Sequence, residues 1–363
     1  MTEARFGASA PFTLGVEEEL MLIEPTSLDQ VPAVARVLAR AGTAGLKTEL
    51  FASIVESNTE PLERAADVES ALRSLRRVAG EAARAEGLAL AAAGTHPFAD
   101  PERQAIVDEE RYTSFVGYGG VTVRRQGVQG LHVHVGMPSA EACWTCLELV
   151  LPWLPVVLAL SANSPWFRGE RTGMASNRAP VLAELPRAGA PPAFASYAEW
   201  EAWLARLVRL GVTQDHTRLW WDVRPHPTFG TLEVRVPDQP TDVGLAAAFA
   251  ALLQALCSTA LSGGLPERRE LLADRGRADY AQNRWAAARF GPRAELLHPD
   301  GTSVASAAEL GRELLDLVAP AARDLGGDAP LGRIDPQTCE ADLQLRFATA
   351  QEAAADLVAR SLG

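Results

Sequence analysis

Three short stretches of the chain alternate apolar residues with chemically reactive ones at a period of two. They are Leu14-Gly-Val-Glu17-Glu-Glu19-Leu20, Leu131-His-Val-His134-Val135 and Leu232-Glu-Val-Arg235-Val236. Successive side chains of a strand point to opposite faces, so residues i and i+2 share one face. Each stretch therefore predicts a strand with an apolar back. The fronts carry Glu17 and Glu19, His132 and His134, and Glu233 and Arg235. Joined in one sheet, these fronts make a wall of carboxylates, imidazoles and a guanidinium.

The same periodicities organise the rest of the chain. Strands are predicted over residues 12–24, Glu49 to Asn58, Leu88 to Ala93, Val121 to Arg125, Leu219 to Val223 and Thr231 to Val236. Helical spacing of apolar residues predicts helices over Val31 to Ala41, 62–86 and Arg103 to Val116. Pro138-Ser139 opens a long apolar helix that fades near Ser164-Pro165. Ser196 and Glu199 form a capping box for a helix ending at Gly211, and Thr241 caps one running to Ser262. Further helices are expected over 267–289, 305–323 and 340–361. Residues 165–193 carry Gly, Pro and Arg without apolar periodicity, a composition that suits a lid over a reactive site.

Strands thus fall between residues 12 and 236 and helices dominate 241–363, with no linker or repeat between them. The expectation is one α+β domain over 1–363, with a mostly antiparallel sheet and helices packed on one face. The other face would be the reactive one. No phosphate loop and no G-x-G-x-x-G after a strand is present, so neither of those nucleotide folds is supported.

Composition narrows the function. With 363 residues, 47% apolar and 22% charged, the chain can bury a large core. A net charge of -12 excludes broad binding to nucleic acid or anionic membranes. Met1 to Gly7 lack the apolar run of a secretory signal. The apolar stretch Leu147 to Ala162 contains Glu148, Pro152 and Pro155 and reads as a buried helix rather than a membrane span. Cys143 and Cys146 have C-x-x-C spacing, but no second pair accompanies them, so they read as core residues. Without a disulfide framework or signal, the cytoplasm is the expected compartment.

The reactive residues each have a bland reading. A run of glutamates is ordinarily a solvated edge, and a lone histidine on an apolar face is ordinarily a core residue. Here the flanks of Glu17 and Glu19 are those of a core strand, and two inward carboxylates require a cation. Magnesium, with its oxygen ligands, supplies one. Glu49 and Glu56, seven apart, fall on opposite faces of an unbroken strand; Glu56 is favoured, with Glu49 and Glu60 as weaker candidates. His132 and His134 suit zinc as imidazoles, but the carboxylate neighbours favour Mg²⁺ or Mn²⁺, with one histidine on phosphate. Arg178, Arg224 and Arg235 suit two-point binding of carboxylate and phosphate. A zinc hydrolase, a kinase that stops at phosphorylation and a non-catalytic nucleotide-binding protein remain as alternatives.

Longer motifs carry a resemblance. Thr13-Leu-Gly-Val-Glu-Glu-Glu-Leu20, Gly130-Leu-His-Val-His-Val-Gly136, Ala159-Leu-Ser-Ala-Asn-Ser-Pro165, Thr172-Gly-Met-Ala-Ser-Asn-Arg178, Trp221-Asp-Val-Arg-Pro225 and Phe229-Gly-Thr-Leu-Glu-Val-Arg-Val-Pro-Asp238 follow one another along most of the chain. Together they resemble the glutamate–cysteine ligase type 2 family of carboxylate–amine ligases, related to glutamine synthetase. The resemblance implies a curved antiparallel sheet holding ATP and divalent metal. It implies Glu17, Glu19, Glu56, His132 and Glu233 as metal ligands, His134 on the nucleotide phosphates and Arg235 on the phosphate in flight, with Arg178 and Arg224 beside it. It also implies an acyl-phosphate route to an amide, glutamate and cysteine as the default pair, and a homo-oligomer, dimer or larger.

Overall fold

A computed structural model describes residues 4–265 and 274–362. In chain order its strands are β1 (Leu14–Ile23), β2 (Leu46–Thr48), β3 (Ile54–Asn58), β4 (Ala89–Ala91), β5 (Leu131–Gly136), β6 (Trp166–Phe167), β7 (Glu170–Arg171), β8 (Val223–His226), β9 (Thr231–Val234), β10 (Glu295–Leu297) and β11 (Val304–Ser306). The α-helices are α1 (Val34–Ala41), α2 (Val68–Ala85), α3 (Glu110–Gly119), α4 (Val121–Arg124), α5 (Ala140–Val150), α6 (Leu154–Ser161), α7 (Arg178–Leu182), α8 (Tyr197–Arg209), α9 (Val243–Leu261), α10 (Asp274–Phe290), α11 (Ala307–Asp324), α12 (Asp328–Leu331), α13 (Glu340–Gln344) and α14 (Ala350–Arg360).

One antiparallel sheet dominates, in the order β2-β3-β1-β5-β9-β8 with β4 also on β1. This is the expected α+β architecture. The back of β1 divides its work. Leu14 and Val16 join the main core beneath α5, α6 and α9, while Leu20 and Leu22 join a second core with α1 and α2. Between them Glu18 is fully buried and meets Arg76 of α2, at 2.6 and 3.0 Å. Arg76 also donates to the carbonyls of Pro240, Thr241 and Ser361, so its fork is fully used.

On the front, the polar run of β1 gives way to Met21 and Ile23. There a smaller apolar cluster, with Tyr112 and Phe115 of α3, Leu182 and Trp220, covers that end of the sheet. Helices therefore cover the whole back and one end of the front.

Several expected elements change. Glu49 to Asn58 is not one strand: β2 and β3 pair as a hairpin, and residues 49–53 form its connection. Val121 to Arg125 is helical rather than extended. Gly120, at φ 57°, restarts the chain, and Val123 packs into the small front cluster. The β-branched residues there pack from a short helix, so tertiary context outweighs propensity. The strand expected at Leu219 to Val223 begins only at Val223, with Pro225 inside it, as an edge strand permits. Pro152 and Pro155 divide the long apolar helix into α5, a short 3-10 turn and α6. Residues 340–361 hold two helices rather than one. Asp242, not Thr241, caps α9, because the Thr241 hydroxyl donates to the Ala92 carbonyl. Part of the helix expected over 267–289 falls at 267–273, outside the described residues; α10 covers the remainder.

Two helical stretches, Ala140–Ser161 and Val243–Leu261, are long and apolar enough to cross a membrane, but 83% and 89% of their apolar windows are buried inside the fold. Burial rather than length makes them core helices. Cys143, Cys146, Cys257 and Cys339 are all buried and free.

Candidate active site

Strand register assembles the front face. Glu19 lies opposite Glu56, and Glu17 lies between Asn58 on β3 and His132 on β5. His134 lies between Gly15 on β1 and Glu233 on β9, and Arg224 on β8 faces Glu233. Arg235 follows β9 on the same side. The connection at residues 49–53 also brings Glu49 near the acids, so both candidates seven apart join one cluster.

The face has an acidic end and a cationic end. At the acidic end, burial and then Glu49 push the Glu19 carboxyl up to about 8, against Arg178, the Gly130 N–H and Arg235. Burial, followed by Glu17 and Glu49, raises Glu56 well above the usual range. Burial raises Glu49 as well. Four carboxylates here have more negative charge than the neighbouring cations offset. Burial favours protonation of Glu17 too, but His134 and His132 outweigh it and hold this carboxyl well below its ordinary value. His132 Nδ1 lies 3.3 Å from Glu17 Oε2, and His134 Nε2 lies 3.4 Å from Glu17 Oε1. Burial and Arg235 lower His132 to about 4, so it is a neutral imidazole at neutral pH.

At the cationic end, Glu233 is held between two guanidinium groups. Arg224 donates to both carboxylate oxygens, at 2.7 and 3.2 Å, and Arg235 Nη1 donates to Oε1. Burial opposes the Glu233 charge, but Arg224 and Arg235 outweigh it and keep this carboxyl well below its usual range. Arg224 Nη1 also donates to the carbonyls of Thr217 and Leu219, at 2.9 and 2.7 Å. His226, two positions from Arg224, lies with its ring 5.3 Å from that of His134 and stacks on Phe229.

Arg178 lies beside Gly130, near Glu19 and Arg235. Its guanidinium donates to the carbonyls of Arg235 and Val236, at 2.9 and 3.2 Å, and it is 3% exposed. The segment before it is fastened by Asp238, which accepts from the Asn163 N–H and from the Ser164 and Ser176 hydroxyls. Residues 161–166 and 175–179 are buried. Within the 165–193 segment, 165–166, 175–179, 181–182, 185 and 191 are buried, while 168–171, 173, 183–184 and 192 are exposed. Glu60 is exposed and lines only the adjoining cleft.

That cleft, of about 340 Å³, opens beside Glu17 and His134 and is lined by Arg5, Lys47, Asn58, Phe229 and Thr231 among others. Among the described residues, no three His, Cys, Asp or Glu side chains are already gathered into a group that would hold a metal ion. The donor chemistry nevertheless fits a hard divalent cation at the acidic end, where carboxylates are in excess and next to a neutral imidazole. It fits less directly at Glu233, whose oxygens are both taken by arginine.

His226 and Tyr112, which donates towards Glu49, were not singled out by motif spacing, and Glu49 stood only as a weaker candidate than Glu56. His226 was legible as i+2 of Arg224 on one strand. That Glu49 joins Glu56 rather than replacing it was not legible, because its approach depends on where the hairpin connection falls.

The sequence model described as glutamate-cysteine ligase family 2 matches residues 13–344. A relative from Rubrobacter xylanophilus, provisionally named glutamate–cysteine ligase 2-3, is 40% identical over 335 residues, covering 91% of this chain and 89% of its own. A similarly named relative from Herpetosiphon aurantiacus is 35% identical over 328 residues, covering 90% of this chain and 85% of its own. The fold is similar to that of a glutamate–cysteine ligase from Francisella tularensis solved with AMP, with a TM-score of 0.71 at 13% identity, over 98% of this chain and 89% of that one. It is also similar to a bifunctional glutathione synthetase from Pasteurella multocida, with a TM-score of 0.68 at 15% identity, over 97% of this chain and 52% of that one. With its sequence matched from β1 to α13, the chain belongs to glutamate-cysteine ligase family 2.

Proposed function

We propose that this protein joins a carboxylic acid to an amine at the expense of ATP, through an acyl phosphate, with glutamate and cysteine as the default pair. The observation that carries the reading is the register that sets Glu56, Glu19, Glu17, His132, His134, Glu233 and Arg224 on one face. A carboxylate is a poor acyl donor because oxide is a poor leaving group. Phosphorylation supplies a leaving group that an amine can displace, with release of phosphate.

Each residue has a part in this. Glu17, Glu19, Glu56 and Glu49, with His132, would hold Mg²⁺ or Mn²⁺. The metal supplies charge neutralisation of the nucleotide phosphates. Glu233 would serve as a ligand only by loosening one of its arginines; otherwise it holds Arg224 and Arg235 in place. Arg235 and Arg224 face the transferring phosphoryl group, and His134 contacts the nucleotide phosphates. Arg178 keeps the Arg235 backbone in position. The cleft beside Glu17 and His134 has room for the remainder of the nucleotide. Action in the cytoplasm and as a homo-oligomer belongs to the same proposal.

The test is a screen for ADP release across acids and amines with Mg²⁺ or Mn²⁺, followed by mass spectrometry of the product. Formation of an amide supports the reading. ADP with a stable phosphorylated acid would make the protein a kinase, ATP-independent hydrolysis with bound zinc would make it a hydrolase, and nucleotide binding without turnover would make it a binding protein.

A further inference from the structure

The first turn of α3 grips the connection that carries Glu49. The Thr48 hydroxyl donates to Glu109 Oε1 at 2.7 Å and accepts from Arg111 Nη2 at 2.7 Å. The Tyr112 hydroxyl lies 2.7 Å from the Thr48 carbonyl and 3.3 Å from Glu49 Oε2. Behind these side chains the backbones also pair: the Val107 N–H donates to the Leu50 carbonyl and the Ala52 N–H to the Ala105 carbonyl. Residues 105–112 thus run alongside 48–52.

The helix is also held from outside. Phe115 stacks on Trp220 with ring centres 4.9 Å apart, and the Arg218 guanidinium lies 4.8 Å above the Phe115 ring. Tyr112 is 7% exposed and contributes its ring to the apolar cluster at that end of the sheet.

We propose that Tyr112 is a positioning residue for Glu49, its hydroxyl and the grip of Glu109 and Arg111 directing that carboxylate towards Glu19 and Glu56 as part of a divalent-cation site. The proposal rests on the ligase reading above and adds a supporting layer that the ligand residues do not supply. The hydroxyl proton has two acceptors. Shared between the Thr48 carbonyl and Glu49 Oε2, it ties the carboxylate to the backbone of its own connection.

The test titrates the full-length protein with Mn²⁺ alone by calorimetry and measures the Mg²⁺ dependence of ADP release. Tyr112→Phe keeps the ring and removes the hydroxyl. Groups that orient metal ligands typically contribute 10–100-fold to metal affinity, so about tenfold weaker Mn²⁺ binding is expected. The Mg²⁺ concentration for half-maximal rate should rise similarly, with kcat recovering at saturating Mg²⁺. Phe115→Leu, which alters helix packing but leaves the hydroxyl, should bind Mn²⁺ like the wild type. Wild-type binding with unchanged affinity in Tyr112→Phe would overturn the positioning role. So would equal weakening in Phe115→Leu, because packing alone would then explain it. If the wild type bound no Mn²⁺, the metal reading itself would fall and Tyr112 would have no ligand to position.

Discussion

Gly130 presents bare backbone to the guanidinium of Arg178. A Cβ at this position would lie 2.7 Å from Arg178 Cζ. The Gly130 N–H donates to Glu19 Oε2 at 2.7 Å, while Arg178 donates to the Arg235 carbonyl at 2.9 Å. One missing side chain therefore lets the acidic strand and the segment that carries Arg235 meet through Arg178.

Gly130→Ala should displace Arg178, which is buried and tied to two carbonyls and so has little room to yield. Overpacking of this kind costs about 1–3 kcal/mol. The expected outcome is a lower melting temperature and a loss of ligase kcat/KM of about tenfold or more. Wild-type kinetics in a stably folded variant would remove Gly130 and Arg178 from the support of the site.

Arg76→Met should be strongly destabilising, because it leaves the Glu18 charge buried without its partner. Breaking such a pair costs about 3–5 kcal/mol, whereas replacing both partners with apolar residues is often close to neutral. Urea denaturation of Arg76→Met and of the double variant Glu18→Leu/Arg76→Met checks both parts. The double variant should recover only the part owed to the Glu18 charge, because the Pro240, Thr241 and Ser361 carbonyls lose the Arg76 donors in both variants.

Glu233→Gln should abolish turnover while leaving the fold intact. The variant keeps the shape of the side chain but removes the charge that holds Arg224 and Arg235 together. A fall in kcat of about a hundredfold or more is expected, the scale of losing a group that stabilises charge in a transition state. Circular dichroism and ADP release read the two parts, and near-normal rates would exclude Glu233 from the reaction.

His96 should make the fold sensitive to acid. Its Nε2 lies 2.9 Å from the Leu28 carbonyl, and its Nδ1 accepts the N–H groups of Phe98 and Ala99. Nδ1 therefore has no place for a proton, and burial lowers the imidazole from 6.5 to about 4. The unfolded chain binds the proton more readily than the folded one, so stability is full above pH 6.5 and falls as the pH drops towards 4. The loss is on the order of 1 kcal/mol per pH unit. Thermal unfolding of the wild type and of His96→Gln at pH 7, 6 and 5 measures it, and the variant should show the shallower dependence.

The legibility of the fold followed the range of the interactions involved. The alternation in β1, β5 and β9 was readable because a strand with one buried face repeats every two residues, whatever its partners. Val121 to Val123 carried the same β-branched signal but form α4, with Val123 packed in the small front cluster. Glu49 was ambiguous because its position depends on a hairpin connection, and strand spacing alone cannot locate one.

From the sequence alone came the residue types of the site, their common faces and the family that its motifs resemble, since these depend on local periodicity and on residues close in the chain. Only the tertiary structure decided the partners. It buried Glu18 against Arg76, seated Glu233 between Arg224 and Arg235, and tied the Arg178 guanidinium to the Arg235 and Val236 carbonyls. Glu18 and Arg76 are distant in the chain and Glu233 and Arg224 face each other across strands, and burial, by removing water from these charges, makes each need its partner.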